Sequence, residues 1–67
     1  MIKLRLLLDK HLRENTELFD IPPAFEGNYI VCNQYAKDNG YIWKPEPTSM
    51  YGGYYVHPET RNCLIPT

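Results

Sequence analysis

Asn28-Tyr29-Ile30-Val31-Cys32-Asn33-Gln34-Tyr35, then Ala36-Lys37-Asp38-Asn39-Gly40, then Tyr41-Ile42-Trp43-Lys44 form one continuous stretch whose reading decides the fold. The first piece carries the strand-favouring core Tyr-Ile-Val-Cys. The second ends in Asn-Gly, the dipeptide that best tolerates the positive φ of a tight hairpin turn. The third is a short β-rich return. Together they predict a hairpin over residues 28–44, turning at Asp38-Asn39-Gly40. Alternation puts Tyr29, Val31, Asn33 and Tyr35 on one side of the first strand and Ile30, Cys32 and Gln34 on the other. Tyr41 and Trp43 likewise oppose Ile42 and Lys44. Either Ile30, Cys32 and Ile42 face the core and the aromatics lie open, or the reverse.

Beyond the hairpin, Pro45 and Pro47 stop the second strand. Gly52-Gly53 makes a bend, Tyr54-Tyr55-Val56-His57 a third strand, and Pro58 to Asn62 a turn. Cys63-Leu64-Ile65 is a short last strand before Pro66. Before the hairpin, Leu18-Phe19-Asp20-Ile21 meets Pro22-Pro23, which bars a helix and allows an edge strand at most. Phe19, Ile21 and Phe25 are expected to cover the open side of the core.

The N-terminal segment supports two patterns. Ile2, Leu4, Leu6 and Leu8 alternate as in a strand, whereas Leu4, Leu7, Leu8, His11 and Leu12 share a helical stripe. Leucine favours helices, and Asp9 with Arg13 and Lys10 with Glu14 form opposite-charge pairs four apart. A helix over about residues 2–14 is the reading adopted, closed by Asn15 in the left-handed conformation. A strand over residues 1–8 is the alternative. The expected architecture is α+β, a single domain over residues 1–67. One N-terminal helix packs on a three- to four-stranded antiparallel meander.

A chain of this length buries only about 60% of its unfolded surface, so its stability is marginal without help from a disulfide, a metal or a partner. A hydrophobic fraction of 43% fits a folded domain, and a net charge of −1 argues against a protein that mainly neutralises phosphate. Residues 1–13 are basic and residues 14–26 acidic. These segments are expected to pair within the fold or to give the molecule a steering dipole. No signal peptide is evident, and no apolar run approaches the roughly 18 residues of a membrane span. The expectation is a complete cytoplasmic protein with no membrane contact and with Cys32 and Cys63 as free thiols.

All seven Tyr and Trp residues lie between Tyr29 and Tyr55, and residues 1–18 hold no aromatic at all. A core this small does not absorb seven such side chains, and exposed Tyr and Trp are common interface anchors. Tyr41, Trp43, Tyr51, Tyr54 and Tyr55 are therefore the candidate binding residues, with Lys44 and Arg61 at their rim. The competing reading of each is core packing or turn filling.

Other chemistry is weaker. Cys32, His57, Cys63 and His11 are possible zinc ligands but lack the close spacing of a structural site. Cys63, His57 and Glu59 match no nucleophile motif, so no enzyme and no cofactor are expected. Gly52-Gly53 lacks the helix and Lys of a phosphate loop. In the alternative reading Tyr35, Tyr41, Trp43 and Tyr54 stack bases, with Lys37, Lys44 and Arg61 on phosphate. The expected function is a small non-enzymatic interaction module, an inhibitor or adaptor of the size found among phage and mobile-element proteins. Its partner is a larger protein or a second copy; single-stranded nucleic acid is the alternative.

Overall fold

The computed structural model describes all 67 residues. In chain order it contains β1 (Ile2–Leu7), a short helix α1 (Asp9–Arg13), β2 (Pro23–Gly27), α2 (Tyr29–Asp38), β3 (Ile42–Pro45), β4 (Gly53–Val56) and β5 (Cys63–Pro66). A 3-10 turn at Leu18–Asp20 stands where an edge strand was the most expected. One antiparallel sheet has the order β2-β1-β5-β4-β3. The class is α+β, but with five strands and with the main helix in the middle of the chain.

At the N-terminus the alternating pattern prevails over the helical stripe. Residues 2–7 form an interior strand between β2 and β5, so a helix over 2–14 is corrected to β1 followed by α1. An interior strand lets Leu4 reach complete burial, and that gain outweighs leucine's slight helix preference. The last turn of the stripe survives as α1, where the Leu8 N–H donates to Nδ1 of His11 at 3.0 Å. Asn15 follows with φ 54, the left-handed close read from the sequence.

The hairpin over residues 28–44 is also corrected: its first arm is α2. Asn28 caps the helix by accepting the Val31 N–H on Oδ1 at 3.0 Å. Gln34 Nε2 donates to Asp38 Oδ1 one turn on at 2.7 Å. At the far end Asn39 Nδ2 donates to the Tyr35 carbonyl, and Gly40 takes φ 83 with its N–H on Lys37 O. Asn-Gly is thus a helix stop; a helix C-terminus and a hairpin turn both demand residues that accept positive φ.

Topology explains why strand-favouring residues fold as a helix. β2 and β3 are the two edges of the sheet, separated by four strand spacings, roughly 19 Å. The segment joining them must cross an apolar face. A helix of ten residues, about 15 Å long, makes that crossing with its backbone groups paired internally. Its inward stripe is Cys32 and Ala36, small residues four apart that let the helix lie close. Ile30 and Val31 turn outward, and Ile30 is 75% exposed, so of the two face assignments left open by the sequence, the one with Ile30 and Ile42 toward the core does not hold.

The core consists of Leu4, Cys32, Ala36, Tyr55 and Leu64, with Ile2, Leu6, Phe25, Tyr35 and Tyr41 around it. Phe25 stacks on Tyr35 at 4.3 Å between ring centroids. The other face of β1 is closed by residues 18–21. Ile21 is buried there, as expected, while Phe19 stays mostly exposed. Arg5 reaches under this segment, donating to the Ile21 carbonyl at 2.6 Å and to Thr67 Oγ1 at 3.2 Å, with the Phe19 ring 5.2 Å away. Carbonyls, a hydroxyl and a π face thereby satisfy a buried guanidinium. The chain ends are tied together, Lys3 and Thr67 exchanging backbone bonds at 3.1 and 2.8 Å.

Candidate interaction surface

Strand parity divides the candidate residues between two faces. Trp43 pairs with Tyr55 and Lys44 with Tyr54 across β3 and β4, so Tyr41, Trp43 and Tyr55 point to the helix side and Lys44 and Tyr54 away from it. On the far face the Lys44 ammonium lies 5.7 Å from the Tyr54 ring centre. Arg61 sits in the β4–β5 turn with φ 63 and an exposed side chain. The seven predicted site residues are therefore not one surface. Tyr55 is corrected as an exposed anchor: at 3% exposure its ring belongs to the core on the helix side, where it packs with Cys32 and Ala36 and forms part of the groove floor.

On the helix side, α2 covers the β2–β1–β5 part of the sheet and leaves a groove between itself and β3. Two hollows lie along it, meeting at Trp43 and Tyr55. The first, of about 50 Å³, is walled by Tyr29, Trp43 and Tyr51 over a floor that includes Leu4, Cys32 and Pro66. Its three wall aromatics are 67%, 39% and 45% exposed. The second is wider, about 350 Å³, and brings in Asn33, Lys37 and Tyr41. Tyr29, Asn33 and Lys37 are four apart and form one stripe of α2.

Local structure fixes each wall. Gly53 lets the Trp43 indole lie across β4: a Cβ there would run into the ring and into the Lys44 carbonyl. Trp43 meets Tyr55 edge-on at 4.9 Å. Tyr51 is held by a pinned loop in which Thr48 donates to Glu46 Oε1, Ser49 Oγ donates to Gly53 O, and the Glu46 N–H donates to Gly52 O. Tyr55 donates its hydroxyl to Asn33 Oδ1 at 3.3 Å, which leaves the Asn33 amide NH2 free to donate. Tyr41 packs edge-on against His57 at 5.2 Å.

Burial raises the Tyr55 hydroxyl above its ordinary pKa, and nearby Tyr29 and Cys32 add to the shift. Burial also raises the Cys32 thiol, opposed by the N-terminal ammonium. Tyr41 shifts the same way, through burial first and then Tyr35 and Cys63. Both hollows are thus lined by neutral groups apart from Lys37, and no acidic side chain lines either. Asp38 faces the other flank of α2, with Phe25 and Gln34.

The other constellations do not assemble. His11, Cys32, His57 and Cys63 do not gather into a metal-binding group. His57 Nδ1 accepts the Glu59 and Thr60 N–H groups at 3.2 Å and so pins its own turn. Cys63 donates to the Arg61 carbonyl, and burial raises its thiol. Both cysteines are free thiols. No helix is long and apolar enough to cross a membrane. The predicted base-stacking set is dispersed: Tyr35 stacks on Phe25, and Tyr54 lies on the face opposite Trp43.

Sequence reasoning missed Tyr29, Asn33 and Lys37 as one wall. The signal was present as spacing by four, but it is visible only once residues 29–38 are read as a helix. No family model, no curated protein and no solved structure matches this chain.

Proposed function

We propose that this protein is a small non-enzymatic interaction module, an inhibitor or adaptor that binds a larger protein in the cytoplasm. The observation that carries the reading is the groove beside α2, where Tyr29, Trp43 and Tyr51 stand exposed around an apolar hollow. Aromatic side chains around a desolvated pocket are the usual anchors of protein interfaces. The apolar hollow of about 50 Å³ suits the tip of one inserted side chain, and the wider hollow beside it, about 350 Å³, leaves room for the segment that carries that side chain. The free thiols fit a reducing compartment. The occupied Nδ1 of His57 and the raised Cys63 thiol support a non-catalytic reading, since neither group is poised as base or nucleophile.

The two faces provide an internal control. Immobilised parent protein, Trp43→Ala and Tyr54→Ala are each incubated with extract of the native host, and retained proteins are quantified by mass spectrometry. The expected result is a partner held by the parent and by Tyr54→Ala but lost with Trp43→Ala. Circular dichroism establishes that each variant is folded. A partner retained equally by all three would place the binding surface elsewhere.

A further inference from the structure

The groove has chemically distinct ends. The first hollow is apolar and aromatic. The second offers hydrogen-bond donors, the Lys37 ammonium and the free Asn33 amide, with no carboxylate in its lining to neutralise them. The nearest acid in sequence, Asp38, is engaged on the other flank by Gln34. Glu46 is held in its own loop by Thr48. A lone cation without an acid beside it, next to an apolar pocket, is complementary to a ligand that carries an apolar group and a negative one.

The mode of docking follows from the edge strand. The Glu46 N–H bonds Gly52 O toward β4, so by alternation Trp43 and Pro45 turn their backbone groups to the outside. Pro45 has no N–H, which leaves Trp43 as the single donor along that edge. A proline so placed discourages addition of another strand. Recognition is thereby directed to side chains entering the groove.

We infer that the groove binds one extended peptide segment of the partner, bearing an aliphatic side chain or proline and, a few residues away, a carboxylate. The apolar group enters the hollow among Tyr29, Trp43 and Tyr51. The carboxylate meets Lys37 and Asn33. This assignment rests on the protein-binding reading above. Tyr29 and Lys37 are eight residues apart on α2, about 12 Å, which an extended chain spans in about four residues. Nucleic acid suits the groove less well, since it brings a charge with every nucleotide and meets Lys37 alone among cations.

The test is selection of random linear peptides displayed on phage against the intact protein, followed by fluorescence titration of synthetic peptides using Trp43, the single tryptophan. The expected consensus is an aliphatic residue or proline about four positions from Asp or Glu. Lys37→Glu should weaken a Leu/Asp peptide about tenfold and improve its Leu/Lys counterpart, an inversion that loss of structure does not produce. Tyr54→Ala should change neither affinity. Enriched peptides without a carboxylate, or binding indifferent to Lys37→Glu, would overturn the assignment. So would failure to enrich any peptide; if a folded partner is still captured through Trp43, the broader protein-binding reading survives. Oligothymidylate bound through Trp43 in place of every peptide would overturn both.

Discussion

The two halves of the sheet use the same antiparallel pairing to opposite ends. In the β2–β1–β5 half, α2 covers one face and residues 18–21 close the other, so Leu4, Leu64, Cys32 and Ala36 are buried. In the β4–β3 half the helix has drawn away, and all four residues of β3 are exposed. Stability is concentrated where the sheet is covered twice. The exposed aromatic groove lies where it is covered incompletely, with a firm floor and an open top. Tyr55 belongs to both halves: its ring is core, and its hydroxyl fixes Asn33 in the groove.

The sharpest way to break this contrast is to truncate matching apolar residues on the two sides. Leu4→Ala should cost about 2–5 kcal/mol in urea unfolding, the usual range for a buried leucine with its cavity. Ile42→Ala, on the exposed edge, should stay within about 0.5 kcal/mol. Equal losses would mean that β3 is as buried in solution as β1. Given the small size of the domain, Leu4→Ala is expected to leave part of the population unfolded at room temperature.

Gly53→Ala tests whether the two halves separate. The new Cβ meets the Lys44 carbonyl and the Trp43 ring, so β3 must shift away from β4. A loss of about 1–3 kcal/mol is expected, in the range of other overpacked sites. Hydrogen exchange should quicken at β3 amides while β1 and β5 keep their protection. Uniform loss of protection would show that the sheet opens as one unit and that the β3 side has no independent mobility.

The smallest effect is in the pH dependence. The thiols of Cys32 and Cys63 and the phenols of Tyr41 and Tyr55 are raised above 9.0 and 10.0 in the fold. The folded state therefore holds protons that the unfolded chain gives up. That stabilisation is complete below about pH 9 and is lost as pH rises through the raised values. The unfolding midpoint should accordingly be level near neutrality and fall in alkali. Cys32→Ala should remove part of the fall attributable to thiols. A midpoint unchanged above about pH 10 would contradict the burial of these groups.

The Gly52-Gly53 bend and the strands at 53–56 and 63–66 were readable from local pattern, whereas the alternation over residues 2–7 was visible but lost to the helical stripe in the reading adopted. Each depends on neighbours two apart or on glycine conformation. The left-handed Asn15 was readable for the same reason. The candidate site was legible only in part. Of the seven candidates, Trp43, Tyr51 and Tyr55 line the groove, Tyr41 lies half-buried at its far end, and Tyr54, Lys44 and Arg61 fall outside it. Face assignment needs register, and register belongs to the pairing of distant segments.

The sequence by itself determined where the chain bends and where aromatic side chains accumulate, since φ preference and composition are local properties. It also determined that Asn39-Gly40 ends an element. Which element ends there was decided by tertiary structure alone. β1 and β5 pair the two chain ends at the middle of the sheet and leave β2 and β3 as opposite edges. The connection between those edges then has to pass over an apolar face, and only a helix does so without unpaired backbone groups. That crossing turned Ile30 and Val31 outward, placed Lys37 in line with Tyr29, and opened the groove against β3.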